Sequence, residues 1–132
     1  MRRIVGVAVT TLALAASGCS WTIRASVSGS GAQGNGAGID PVLSGDGRYV
    51  VFQANASNLV PGDANDLPDI FVRDNETGAV ELVSVASDGT QTNGNSFNPT
   101  IDEAGRFVVF HSLASNLVPG DVNGVGDLFI HD

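Results

Sequence analysis

Residues 26–74 lie over residues 84–132 at a constant offset of 58 with no gap, and this internal duplication constrains the chain more than any other feature. Of the 49 aligned positions 24 are identical, including all of Ala56-Ser57-Asn58-Leu59-Val60-Pro61-Gly62-Asp63 against Ala114-Ser115-Asn116-Leu117-Val118-Pro119-Gly120-Asp121. A fixed period means one structural unit used twice, each copy burying an apolar face against its neighbour. The chain divides accordingly into a first repeat, 26–83, and a second, 84–132, which is incomplete at the same period.

Within one period the strand signals are short and regularly punctuated. Pro41-Val42-Leu43-Ser44 leads into Gly45-Asp46-Gly47, where Asp-Gly supplies the positive φ of a tight hairpin, and Arg48 to Ala54 returns as a second strand. Its Tyr49-Val50-Val51-Phe52 core is apolar on both faces, which suits a strand packed between two layers. A long polar connection, 55–68, precedes a third strand, Asp69 to Asp74; Asn75 to Gly78 form its turn, and Ala79 to Ala86 a fourth strand. No window beyond the first eighteen residues keeps an apolar period of 3.6. Trp21 to Ser28 aligns with Ala79 to Ala86, so the same pattern predicts a fourth-type strand ahead of the first repeat.

The chain is therefore expected to be all-β, with four-stranded antiparallel propeller blades as the natural unit and a sandwich as the alternative. Pro41, Ser44, Asp46-Gly47-Arg48, Val51-Phe52, Asp69-Ile70-Phe71-Val72-Arg73-Asp74 and Thr77-Gly78 together resemble the TolB-like, or WD40-like, β-propeller repeat of bacterial envelope and extracellular proteins. The resemblance spans 19–132 and implies a fold; propellers host many unrelated activities. The second copy departs from the pattern at its first hairpin, where Asp102, Glu103 and Ala104 replace Ser44, Gly45 and Asp46. Two blades do not close a ring, which takes four to eight. Either the chain is a shortened product of a longer gene, or copies of it assemble as a homo-oligomer, three of them giving six blades.

Residues 1–18 read as a signal peptide. Arg2 and Arg3 form a basic start, Ile4 to Ala16 an apolar run too short to span a bilayer, and Ala16-Ser17-Gly18-Cys19 a small-residue cleavage site. The last four residues resemble the lipobox of bacterial lipoproteins, which implies acylation of Cys19; an ordinary signal peptide ending beside a free cysteine is the other reading. Lipidation would make the lipid anchor the only membrane contact and place the protein in the periplasm or at the cell surface. Removing Arg2 and Arg3 leaves four arginines against fourteen carboxylates, a net charge of −10, with no lysine. Such a surface repels phosphate backbones, so nucleic acid is excluded as a partner class.

One constellation offers chemistry. Asp63, Asn65, Asp69 and Asp74 recur as Asp121, Asn123, Asp127 and Asp132, placing oxygen side chains at relative positions 1, 3, 7 and 12. Such a set suits Ca²⁺, a hard cation that takes six to eight oxygens, but it lacks an acid at position 5 and is no EF-hand. Asx-type turns in a long loop account for the same residues without a metal. Arg48 and Arg106 sit where an ion pair with a nearby aspartate is the ordinary use. His111 and His131 replace Gln53 and Arg73 and so stand outside the repeated design. With no catalytic set and no cofactor motif, the sequence points to a non-enzymatic scaffold or interaction module of the cell envelope, binding envelope or extracellular proteins. The alternatives are a glycan- or small-ligand-binding propeller, and the accessory propeller of a hydrolase whose catalytic part lies elsewhere.

Overall fold

The computed structural model describes residues 20–132, within which the chain is all-β. Seven strands form two antiparallel sheets. The first holds β1 (Gly38–Leu43), β2 (Tyr49–Ala54), β3 (Asp69–Asp74) and β4 (Val80–Leu82), in that order; the second holds β5 (Ser96–Ile101), β6 (Val108–Ser112) and β7 (Asp127–His131). Each sheet is a meander belonging to one repeat. The three later-repeat strands have the positions that the offset of 58 assigns them, and the isolated bridges Val27 with Gln33 and Val85 with Gln91 repeat at the same spacing. Residues 1–18, expected to be a signal peptide, and Cys19 lie outside the described residues.

The first hairpin shows how different residues build one turn. In the first repeat Asp46 Oδ1 accepts from Ser44 Oγ at 2.8 Å and from Arg48 N at 2.9 Å, while Gly47 takes φ +73°. In the second, Asp102 Oδ1 alone accepts from the backbone of Arg106 at 2.6 Å and Phe107 at 2.7 Å, with Gly105 at φ +75°. The sequence departure at Asp102 and Ala104 therefore leaves the turn intact, because one carboxylate replaces a hydroxyl and a carboxylate two residues apart. Both hairpin partners also carry a bulge just before a proline. Asp40 and Asn98, each at φ 51°, break the register between Ile39 and Val42 and between Phe97 and Thr100. Asp and Asn tolerate the left-handed region, and Pro41 and Pro99 have no N–H to give to a ladder.

The fourth strand is shorter than the apolar pattern suggests. It pairs with β3 at only three positions, Phe71 with Leu82, Val72 with Glu81 and Arg73 with Val80. The strand expected over Trp21 to Ser28 does not form: residues 21–25 carry no strand, and Trp21 and Ile23 are exposed. A fourth strand needs a third to pair with, and the described residues give this segment none.

Successive side chains of a strand face opposite sides of a sheet, and the two sides have different fates. Val51, Ile70 and Val83 of the first repeat join Ile101, Val108, Phe110, Ala114 and Leu117 of the second in one cluster, with Tyr49, Val72 and Phe129 packed against it. The outer side of the first sheet forms a second cluster, Phe52, Ala54, Ala56, Leu59 and Phe71, closed partly by the long loop. Phe52 and Phe71 stack at 5.9 Å between ring centres, a spacing that their counterparts Phe110 and Phe129 reproduce at 5.9 Å.

Candidate functional site

The chemistry-bearing residues collect where the long loop of the first repeat meets the start of the second. Asp69, the first residue of β3, is buried with its Oδ1 accepting from Ser84 Oγ at 2.6 Å and Thr92 Oγ1 at 3.1 Å. Ser84 Oγ in turn accepts from Ile70 N at 3.0 Å. Asp69 Oδ2 has no hydrogen-bond partner among the described residues. Burial pushes the Asp69 carboxyl above the usual carboxylate range, against the pull of the Ser84, Asn65 and Thr92 hydrogen bonds.

Asp63 and Asn65 surround this hub. Asp63 Oδ1 accepts from Gln91 Nε2 at 3.3 Å, and Gln91 Oε1 accepts from Ala64 N at 3.2 Å. Asn65 Oδ1 accepts from Leu67 N at 3.0 Å, an Asx turn, while its Nδ2 donates to the Thr92 carbonyl at 3.3 Å. Partial burial, then the charge of Asp69, raise the Asp63 carboxyl. A single aspartate thus ties the end of the loop to two segments of the following repeat, and the loop's own amides and acids are largely spent on that junction.

Asp74 stands apart. It closes the far end of the six-residue strand β3, which at about 3.3 Å per residue puts it roughly 16 Å from Asp69. There its Oδ2 accepts from Arg48 Nη2 at 2.7 Å and Nε at 3.2 Å, and its Oδ1 from Glu76 N at 2.8 Å. The Arg48 guanidinium holds the Asp74 carboxyl down to about 2. The expected set of four oxygens is therefore split into a group of three, Asp63, Asn65 and Asp69, and a separate ion pair. The second repeat divides the same way: Asn123 Nδ2 donates to Asp127 Oδ2 at 2.9 Å and Asn123 Oδ1 accepts from Val125 N at 3.0 Å, whereas Asp132 pairs with Arg106 at 2.7 Å. Asp121 is half-buried at the head of that loop. Among the described residues no three His, Cys, Asp or Glu side chains are grouped to hold a metal.

Sequence reasoning missed a second constellation, an amide clasp repeated bond for bond. Asn35 Oδ1 accepts from Ser57 N, Asn35 Nδ2 donates to Ser57 Oγ, and Asn58 Oδ1 accepts from Asn35 N, each at 2.9 Å. Asn58 Nδ2 closes the clasp on the Gln33 carbonyl at 2.8 Å. Asn93, Ser115, Asn116 and Gln91 make the same four bonds at 2.8–3.1 Å. Gly36 and Gly94 follow because a Cβ at either would run into the backbone of Asn55 or Leu113. The signal was present: Gln33, Asn35, Gly36, Ser57 and Asn58 are all identical across the repeats. Beside the first clasp, Asn35, Asn55, Ser57, Asp63 and Asp66 line a polar cavity of about 240 Å³.

The clearest difference between the repeats is on the outer side of the second sheet. Leu128 is 75% exposed and Ile130 72% exposed, although their counterparts Ile70 and Val72 are buried and half-buried. Together with Val118, Val122 and Phe129 they line an apolar groove of about 530 Å³ along β7, whose outer edge pairs with no strand among the described residues. No family model, curated protein or solved structure matches this chain.

Proposed function

We propose that this protein is a non-enzymatic interaction module of the bacterial cell envelope, built from TolB-like propeller blades and held at a membrane by acylation of Cys19. The observation that carries the reading is the outer side of the second sheet, where Leu128 and Ile130 of β7 and Val122 beside them expose apolar surface at an edge that no strand among the described residues pairs. Contiguous apolar patches of this kind mark sites where proteins associate. A blade-like unit is supported by the way each sheet offers one apolar side to the next, with the Asp69 junction locking the step between them. The basic, apolar and small-residue order ending at Cys19 supports export and anchoring, with periplasm and cell surface as the two locations.

The test is a photo-crosslinking amino acid placed at Leu128 of the full chain expressed in a bacterial envelope. Protein adducts are expected, together with loss of membrane association in Cys19→Ala. Absence of any protein adduct, with the chain instead retained on glycans at micromolar affinity, would overturn the reading. That outcome would favour a small-ligand module, for which the cavity lined by Asn35, Asn55, Ser57, Asp63 and Asp66 supplies amides and carboxylates suited to hydroxyl groups.

A further inference from the structure

Two demands of the fold meet at one dipeptide. The clasp needs an amide at position 35, because Asn35 Oδ1 accepts from Ser57 N while its Nδ2 donates to Ser57 Oγ. The close approach of two chain segments needs a residue without a Cβ at position 36, since a Cβ there would run into the Asn55 carbonyl. Asn93 and Gly94 are placed alike, the asparagine bonded to Ser115 and the glycine packed on the backbone of Leu113 and Ala114. Each repeat therefore carries an Asn-Gly step for structural reasons. The same step is the most labile setting for an asparagine amide, because glycine has no side chain to keep its own backbone nitrogen away from the asparagine Cγ.

Both asparagines are exposed, so burial does not keep water from them. What restrains them is the clasp. With Oδ1 and Nδ2 both held by Ser57, the Asn35 amide cannot swing toward Gly36 N. Asn58 fixes the backbone on the other side, accepting from Asn35 N and donating to the Gln33 carbonyl. Asn116 holds Asn93 N and the Gln91 carbonyl in the same way. Gly36 and Gly94, pressed against the facing segment, have no room to move toward the amide.

We propose that Asn35 and Asn93 are latent deamidation sites, kept intact by their clasps and converted when a clasp opens. In the reaction Gly36 N bonds to Asn35 Cγ, the Cγ–Nδ2 bond breaks, and ammonia leaves with the proton that the glycine nitrogen gives up. Water then opens the cyclic imide at one of its two carbonyls, leaving aspartate or isoaspartate. Aspartate can still accept from both Ser57 groups. Isoaspartate routes the main chain through Cβ, and the packing of Gly36 on Asn55 leaves no space for the added methylene. A repeat that stays open long enough thus fails to reclose, which turns a local opening into permanent loss of the fold.

The chain separates the two sites by itself, since cleavage after its arginines puts Asn35 in residues 25–48 and Asn93 in residues 74–106. Mass spectrometry of these peptides, taken over time from the full chain held in detergent at mildly alkaline pH, reads the exchange of NH₂ for OH. Both sites are expected to convert at least about tenfold more slowly in the native protein than in urea. Asn58→Ala should speed conversion of Asn35 alone by about tenfold, and Asn116→Ala that of Asn93 alone, because each removes two bonds of one clasp. A variant that unfolds altogether speeds both sites and is recognised by that; Ser57→Ala and Ser115→Ala, each removing one bond, then supply the comparison. Native rates equal to those in urea, or clasp variants that leave both rates unchanged, overturn the proposal.

Discussion

The two repeats share half their aligned residues, yet the same position has a different energetic role in each. Ile70 is fully buried between the sheets, while Leu128, one repeat later and equally apolar, is mostly exposed. Asp69 accepts hydroxyls from Ser84 and Thr92 of the following repeat, whereas among the described residues the Asp127 carboxylate accepts from the neighbouring Asn123 alone. Both positions hold an aliphatic residue between an aspartate and a phenylalanine, so the difference lies in what packs against each of them. In a repeat protein a residue's burial belongs to the interface with its neighbour as much as to the residue.

The comparison breaks most visibly at that pair. Ile70→Ala should destabilise the fold by about 2–5 kcal/mol, since it empties a site lined by both repeats, whereas Leu128→Ala measured in dilute solution should change it by no more than about 0.5 kcal/mol. Urea denaturation of both variants checks this, and equal losses would mean that the second sheet's outer side is covered.

A smaller effect is expected at the hub. The raised Asp69 carboxyl binds its proton more tightly in the folded chain than in the unfolded one, so stability falls as pH rises through the folded value and recovers on mild acidification. Asp69→Asn keeps an acceptor for Ser84 and Thr92 without a buried charge. Its melting temperature at neutral pH should equal or exceed the parent's, and much of the recovery on acidification should vanish, while Asp127→Asn changes little. Added millimolar Ca²⁺ sharpens the same point: with Asp63 and Asn65 already bonded to Gln91 and Leu67, the melting temperature should not move. A rise in the parent that Asp69→Asn abolishes would establish a cation at the loop.

The smallest difference concerns the two arginine pairs. Arg48 and Asp74 are partly shielded, with Asp74 11% exposed, whereas Arg106 and Asp132 are open to solvent. The Asp74 carboxyl is held down to about 2, below the ordinary 3.8, so the stability it contributes is complete above the ordinary value and is lost as pH falls toward 2. Asp74→Asn should therefore lower the melting temperature by a few degrees at neutral pH and by little at pH 2. Asp132→Asn should be almost silent, in keeping with the low worth of exposed ion pairs.

Much of this architecture was legible because it depends on neighbours in sequence. The Asp46-Gly47 turn, the apolar double face of Tyr49 to Phe52 and the third strand from Asp69 to Asp74 all follow from residue types and their spacing. Pairing of Arg48 with an aspartate was also foreseeable, although which aspartate was not. The bulges at Asp40 and Asn98 were less so, since Asp-Pro and Asn-Pro mark a break without saying that the strand resumes beyond it.

The calcium-like spacing shows where spacing stops being informative. Asp69 and Asp74 are five residues apart whether the chain between them loops or extends; once Ile70-Phe71-Val72 enters a sheet, the two carboxylates are held at opposite ends of it. Likewise the clasp of Asn35 on Ser57 and Asn58 joins residues 22 and 23 apart, and nothing local distinguishes those asparagines from ordinary turn residues. By itself the sequence determined the period, the strands and the turns, because these rest on short-range backbone preference and on duplication. Only the tertiary structure decided which side of each sheet is buried, which acid becomes the hub and which apolar residues are left uncovered, because burial depends on the segments that fold back across a sheet.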